Sequence, residues 1–182
     1  KKLIQREKIL LKMLAYVVNK FNQNKIIYWI DCSGLLGLIR KQNLAEFSDV
    51  DISIKLNDVK KIRKIIKSNK KIFSFYTKFI SNTKKNKKTK IALMYMIGNV
   101  NAERIEPPLI DFLIKKITPK YVLDIRTSRI SAKKHWRSFD VIKYKGLNLN
   151  VPNYPEKYLK YVYGKSWNKK VEFWSWRQKS KR

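Results

Sequence analysis

The residues best placed by type and spacing to do chemistry are Asp49 and Asp51, one residue apart. From Ser48 to Ile54 the chain alternates. Asp49, Asp51 and Ser53 fall on one side of an extended segment; Val50, Ile52 and Ile54 fall on the other. Two carboxylates leaving a strand on one face repel each other unless a cation intervenes. Hard oxygen donors of this kind suit Mg2+ or Mn2+, which bind through one or two carboxylates together with substrate phosphates. A D-x-D pair alone equally describes a solvated edge strand. Two other features sharpen it. Ser33 and Gly34, upstream, close a short apolar run and precede a short helix, where small residues let backbone N–H groups approach a phosphate. Asp111 is the only charge in the apolar run LIDFLI, and a lone acid there needs a partner. A metal shared with Asp49 and Asp51 would satisfy it, and so would one of the many Lys or Arg side chains.

The elements that must position these groups can be read in order. Residues 3 to 21 form an amphipathic helix with Leu10, Met13, Leu14, Val17, Val18 and Phe21 on one stripe and Lys and Arg opposite. Ile26 to Ile30 is a buried strand, closed by the turn and cap residues Asp31-Cys32-Ser33-Gly34. Leu35 to Arg40 is a short helix. Asn57 to Lys67 is another, capped by Asn57 or Asp58, with Val59, Ile62, Ile65 and Ile66 inward. Ile72 to Ile80, the central run Ile91 to Ile97 and Leu109 to Ile114 are strands, and Ser81 to Lys90 is a basic polar loop. Residues 115 to 138 are expected to be irregular or helical and rich in basic groups. Asp140 to Tyr144 and Leu147 to Val151 make a hairpin turning at Lys145-Gly146. Pro155 to Tyr163 is a helix stopped by Gly164. The whole is an α/β (α+β) chain, expected to be a single domain over 1–182 with its core at about 24–151 and a helical, basic C-terminal segment over 152–182.

An apolar share of 44% with five Trp, ten Tyr and eight Phe supplies a core and excludes a disordered chain. The charge is the outlier: 43 Lys and Arg face 13 Asp and Glu, for a formal +30. AT-rich coding enriches Lys, Asn and Ile but does not remove Asp and Glu. A field of this size attracts polyanions: nucleic acid, anionic lipid, or phosphate-bearing glycans and nucleotides. Cys32 is the single cysteine, so no internal disulfide forms and a reducing compartment is expected. No apolar run reaches the ~18 residues of a membrane span.

The stretch YWIDCSGLLGLIRKQNLAEFSDVDISI, Tyr28 to Ile54, resembles the signature of the LicD family. That pattern is a strand, Asp-Gly-Gly-Thr-Leu-Leu-Gly, a helix with Arg, a loop, and Trp-Asp-Asp-Asp-Ile-Asp-Ile. Asp31, Leu35, Leu36, Gly37, Arg40, Asp49 and Asp51 match it. VPNYPEKYLKYVYGKSW, Val151 to Trp167, is similar to the family's closing motif, and Asp111 stands where the family carries a third acid. There are departures. Cys32 and Ser33 replace glycines, Gly34 replaces Thr or Ser, and Glu46, Phe47 and Ser48 replace the Trp and two acids before D-x-D. The resemblance implies a nucleotidyltransferase-like mixed sheet flanked by helices, with a small C-terminal helical segment. It implies a metal-dependent transferase that moves a phosphorylated head group, such as phosphocholine, from a CDP-linked donor to a hydroxyl of a cell-surface glycan. On this reading Asp49 and Asp51 hold Mg2+ or Mn2+, and Asp111 is the base or a further ligand. Ser33 and Gly34 contact donor phosphate, and Arg40 pairs with phosphate or with a structural acid. The resemblance places such an enzyme in the cytoplasm, on the inner side of an envelope pathway, where its basic surface can touch an anionic membrane.

The alternative is an RNA-binding or ribosome-associated protein on a degenerate nucleotidyltransferase scaffold. That reading rests on the charge and on the tail, where Trp167, Phe173, Trp174 and Trp176 are interleaved with cations. The enzyme reading requires the three acids to converge at an open pocket; the RNA reading requires a broad basic face and a filled or incomplete pocket. His135, inside KKHWR, is expected at the surface, and one His with one Cys builds no zinc site. Cys32 is expected to pack.

Overall fold

The computed structural model describes residues 2–82, 89–100 and 106–169, with backbone alone over 78–82 and 89–92. Helix α1 (Lys2–Gln23) buries the expected stripe and also Arg6, whose guanidinium donates to the carbonyls of Ala45 and Ser48. A basic residue on the second turn thus anchors the loop that leads into the D-x-D strand. Strand β1 (Tyr28–Asp31) runs straight into α2 (Cys32–Ile39), and β2 (Asp49–Lys55) follows after a single 3-10 turn. Another 3-10 turn and helix α3 (Val59–Ile65) come next, without a side-chain cap from Asp58. Strands β3 (Phe73–Asn82), β4 (Thr89–Gly98) and β5 (Leu109–Ile117) complete the main path of the sheet.

The sheet order is β1-β2-β5-β4-β3. Only β2 and β5 run parallel; the other pairings are antiparallel, so the sheet is mixed, as expected. β4, the run without a polar face, is interior, between β5 and β3. One face of the sheet, carrying Val50, Ile52, Ile54, Ile110, Phe112, Met94 and Met96, is buried. α1 covers it, with Phe21 packing on Phe112 at 6.2 Å between ring centroids and Tyr16 packing on Phe73 at 5.0 Å.

Residues 115 to 138 depart from the irregular or helical expectation. They form strands β6 (Tyr121–Asp124) and β7 (Ile130–Ala132), which extend the sheet from the far end of β5, and a 3-10 turn over Lys133–Trp136. The strands are only four and three residues long. Runs this short carry too little alternation to be seen in sequence, and pairing with β5 rather than local propensity makes them strands. His135 also departs from expectation. It is 4% exposed, with Nδ1 2.7 Å from the carbonyl of Asn153 and its ring against Tyr158. The basic neighbours suggested a surface residue, but the tight turn sends His135 and Trp136 inward together.

Strands β8 (Asp140–Tyr144) and β9 (Leu147–Val151) form the expected hairpin. Lys145 and Gly146 both take positive φ, +45° and +83°, the conformation a two-residue connection requires. Helix α4 (Pro155–Tyr163) has Pro at its first turn and ends at Gly164, where φ is +86°. Trp136 packs edge-on against both Trp29 and Tyr158, which places the C-terminal third of the chain over the second face of the sheet. The interior of the Ser81–Lys90 loop and the aromatic tail beyond 169 lie outside the described residues.

Candidate active site

Register brings the acids together. Asp31 pairs with Asp51 across β1 and β2, and Asp51 pairs with Asp111 across β2 and β5. Partners in one row of a sheet point to the same side. Asp49 shares that side, two residues from Asp51. One carboxylate oxygen from each of Asp49, Asp51 and Asp111 lies within 4.8 Å of the other two. That spacing lets the three residues hold one hard cation between them.

Burial is graded across the cluster. Asp51 is 6% exposed, whereas Asp49 and Asp111 are only partly covered, so the group opens outward past Asp49 and Asp111. Burial, then the charge of Asp49, then that of Asp31, push the Asp51 carboxyl up to about 8. Asp111 is also raised: burial outweighs the opposing effect of Arg126. Arg126 alone does not offset the burial and mutual repulsion of these carboxylates.

α2 stands where β1 would otherwise have continued beside β2. Its residue Ser33 places Oγ 2.9 Å from both the Asp51 carboxylate and the Asp49 carbonyl, and its amide donates to Asp51 at 3.3 Å. A hydroxyl has one proton, so Ser33 can donate to only one of the two at a time. Gly34 is buried against the sheet. A Cβ there would meet Ile30 Cγ2 at 2.8 Å and Val50 Cγ1 at 3.0 Å. Close seating of α2 is therefore what Gly34 provides. Gly34→Ala is expected to destabilise the protein by about 1–3 kcal/mol, because both opposing side chains are buried; urea unfolding of the variant measures it.

Arg40 lies at the other end of α2, away from the acids. It donates to the carbonyls of Trp167 and Lys169, the latter at 2.7 Å, and pairs with no acid among the described residues. A shallow depression beside it is lined by Ile39, Gln42, Glu156, Trp167 and Asn168, and the acid cluster does not border it.

Several residues of the site carry no mark in the sequence. Asp31 is fully buried. It accepts from the Cys32 amide and from Ser53 Oγ, each at 2.6 Å, and from the Tyr158 hydroxyl. Its Oδ2 is also 3.2 Å from Lys115 Nζ, which donates to Asp124 Oδ2 at 2.7 Å. Burial alone would raise both acids, but Lys115 together with the hydrogen bonds they accept outweighs it and holds both below the usual carboxylate range. Arg126 donates to Asp111. Tyr163, from the closing motif of the sequence, is raised mainly by burial and then by the charges of Cys32 and Asp51, which places it beside the acids. Asp31 was visible as a cap residue, which it is for α2, and as a match to the family pattern. Lys115 and Arg126 are two among 43 basic residues, and only the fold distinguishes them.

No curated protein matches this chain. Among solved structures, it is similar to the lincosamide antibiotic adenylyltransferase LnuA bound to lincomycin. That similarity has 13% identity and a TM-score of 0.45, over 88% of this chain and 89% of that one. No described helix is long and apolar enough to cross a membrane. The family model described as "LicD/FKTN/FKRP, nucleotidyltransferase domain" matches residues 25–154, which include α2, the D-x-D strand, Asp111 and Arg126. With that match spanning most of its length, the chain belongs to the LicD family of nucleotidyltransferase-fold transferases.

Proposed function

We propose that the protein is a metal-dependent transferase that moves a phosphorylated head group, such as phosphocholine, from a CDP-linked donor to a glycan hydroxyl. The convergence of Asp49, Asp51 and Asp111 at an outward-opening cluster carries the reading. Asp49, Asp51 and Asp111 hold Mg2+ or Mn2+, which when bound neutralises the donor phosphates. Ser33 fixes Asp51 in place and, through its amide at the start of α2, lines the phosphate side of the site. Asp111, partly exposed, orients the acceptor hydroxyl toward the phosphorus and takes up its proton. Asp31 does not touch substrate; it caps α2 and so sets where Ser33 stands.

A thermal-shift titration with Mn2+ plus CDP-choline, CDP-ribitol or CTP tests this on wild type and on Asp51→Asn. Ligand at ~100 times its Kd adds roughly 2.7 kcal/mol, a rise of several degrees. The expected result is a metal-dependent rise in wild type and none in the variant. If no nucleotide shifts the protein while RNA binds tightly and in a salt-sensitive manner, the basic surface is the function and the transferase reading falls.

A further inference from the structure

Arg126 is the one described cation that contacts the acid cluster directly. Its Nη1 donates to Asp111 Oδ2, and its side chain is 39% exposed, against 13% for Asp111. Its field also reaches Asp51. The backbone beneath it is fixed. Ile125 donates its amide to the Ile114 carbonyl at 3.0 Å. The Thr127 amide donates to Asp124 Oδ1 at 2.8 Å, and Ser128, at φ +58°, closes the turn on the Asp124 carbonyl at 2.9 Å. Asp124 is held in turn by buried Lys115, which also holds Asp31 under α2. One buried ion network therefore sets both walls of the site. The guanidinium is different: it sits on a long side chain, half in solvent, with a single nitrogen engaged.

A guanidinium in that position has two competing partners. With no cation at the carboxylates, Asp111 attracts it. Once a divalent cation is bound there, the attraction is shared and the metal repels a second positive group. The planar fork of arginine then matches a phosphate, which it can bind through two parallel hydrogen bonds. We propose that Arg126 works in two positions: it neutralises Asp111 in the metal-free protein, then turns to bind the phosphate of the donor when metal and donor are present. The inference rests on the transferase reading given above.

Arg126→Gln and Arg126→Lys test it, with binding measured by calorimetry and by the Mn2+ resonance signal. Arg126→Gln removes the competitor, so Mn2+ alone is expected to bind several-fold tighter. In saturating Mn2+ the same variant is expected to bind CTP about tenfold more weakly. Arg126→Lys keeps the charge but loses the fork, so it should restore the wild-type Mn2+ affinity and only part of the CTP affinity. Unchanged CTP binding in Arg126→Gln, or weaker Mn2+ binding, overturns the proposal. Wild type that binds no Mn2+, or Asp51→Asn that binds it as well as wild type, overturns the transferase reading and this proposal with it. Mn2+ binding that is lost in Asp51→Asn but indifferent to Arg126 overturns this proposal alone.

Discussion

Lys115→Met is expected to cost about 3–5 kcal/mol, the loss typical when one member of a buried ion network is removed. Lys115 lies between Asp31 and Asp124, and its side chain is only 6% exposed. The substitution leaves two buried carboxylates without their cation. A domain of this size has about 5–15 kcal/mol to lose, so the midpoint should fall by about 10 °C or more. Loss of side-chain volume does not explain this, because methionine fills a similar space. The pH dependence separates the causes. In wild type Asp31 and Asp124 are held below their ordinary range. Their contribution is complete above the unfolded carboxylate value near 4 and disappears only as pH falls through the lowered folded values. Asp31 and Asp124 should therefore add no pH dependence of their own from pH 8 to pH 5, where the drift of wild type comes from Asp51 and Asp111 and is shared by the variant. In Lys115→Met only the hydrogen bonds to Asp31 and Asp124 remain to oppose burial, both carboxyls rise, and the variant should regain stability on acidification relative to wild type. Urea unfolding at pH 8 and pH 5 reads the difference; equal losses at both values would show that packing, not charge, dominates.

Asp51→Asn is expected to change stability in opposite directions with and without metal. Burial and neighbouring carboxylates push Asp51 up to about 8 in the folded chain. A raised carboxyl means the folded state binds more protons than the unfolded one between about pH 4 and pH 8, so metal-free stability falls as pH rises through that window. Asparagine cannot ionise and still accepts from Ser33. At pH 8 the metal-free variant should be more stable than wild type by about 2–4 kcal/mol, with no difference near pH 4. Saturating Mn2+ should reverse the order, since wild type gains roughly 2.7 kcal/mol at ~100 Kd and the variant gains nothing. Metal affinity in wild type should also climb between pH 6 and pH 8, because the cation displaces a proton from Asp51. A variant less stable than wild type without metal would show that Asp51 is structural in its charged form.

The parts of this site that were legible in sequence are those fixed by local pattern. Alternation placed Asp49 and Asp51 on one face, and Asp111 stood out as the single charge in an apolar run. The turn at Lys145-Gly146 and the stop at Gly164 declared themselves through backbone geometry that few residues accept. The rest depends on contacts between distant segments. Lys115 follows directly on LIDFLI, in a chain rich in lysines, and only the approach of β1 and β6 buries it. Arg126 and His135 sit in short connections whose conformation is set by β5 and α4, so their neighbours in sequence pointed outward while the fold turned His135 in. Gly34, which marked a phosphate-binding turn in sequence, proved to be the contact that lets α2 rest on Ile30 and Val50.

The concentration of acids has a consequence for how the site fills. Asp31, Asp49, Asp51, Asp111 and Asp124 are five of the 13 acidic residues, and they share one small region of the molecule. Once Lys115 and Arg126 are counted with them, the rest of the chain holds eight acids against 41 cations. At long range such a protein repels a free divalent ion and draws in an anion; only within a Debye length, about 8–10 Å, does the acidic hollow reverse the force. A metal ion arriving alone climbs that barrier, whereas one already chelated by a nucleotide is carried down it. The kinetic signature is opposite salt dependence: added salt speeds capture of the bare ion and slows capture of the metal–nucleotide complex. On the transferase reading the same cationic exterior makes the preformed complex the faster route, and metal and donor would then enter in a single encounter.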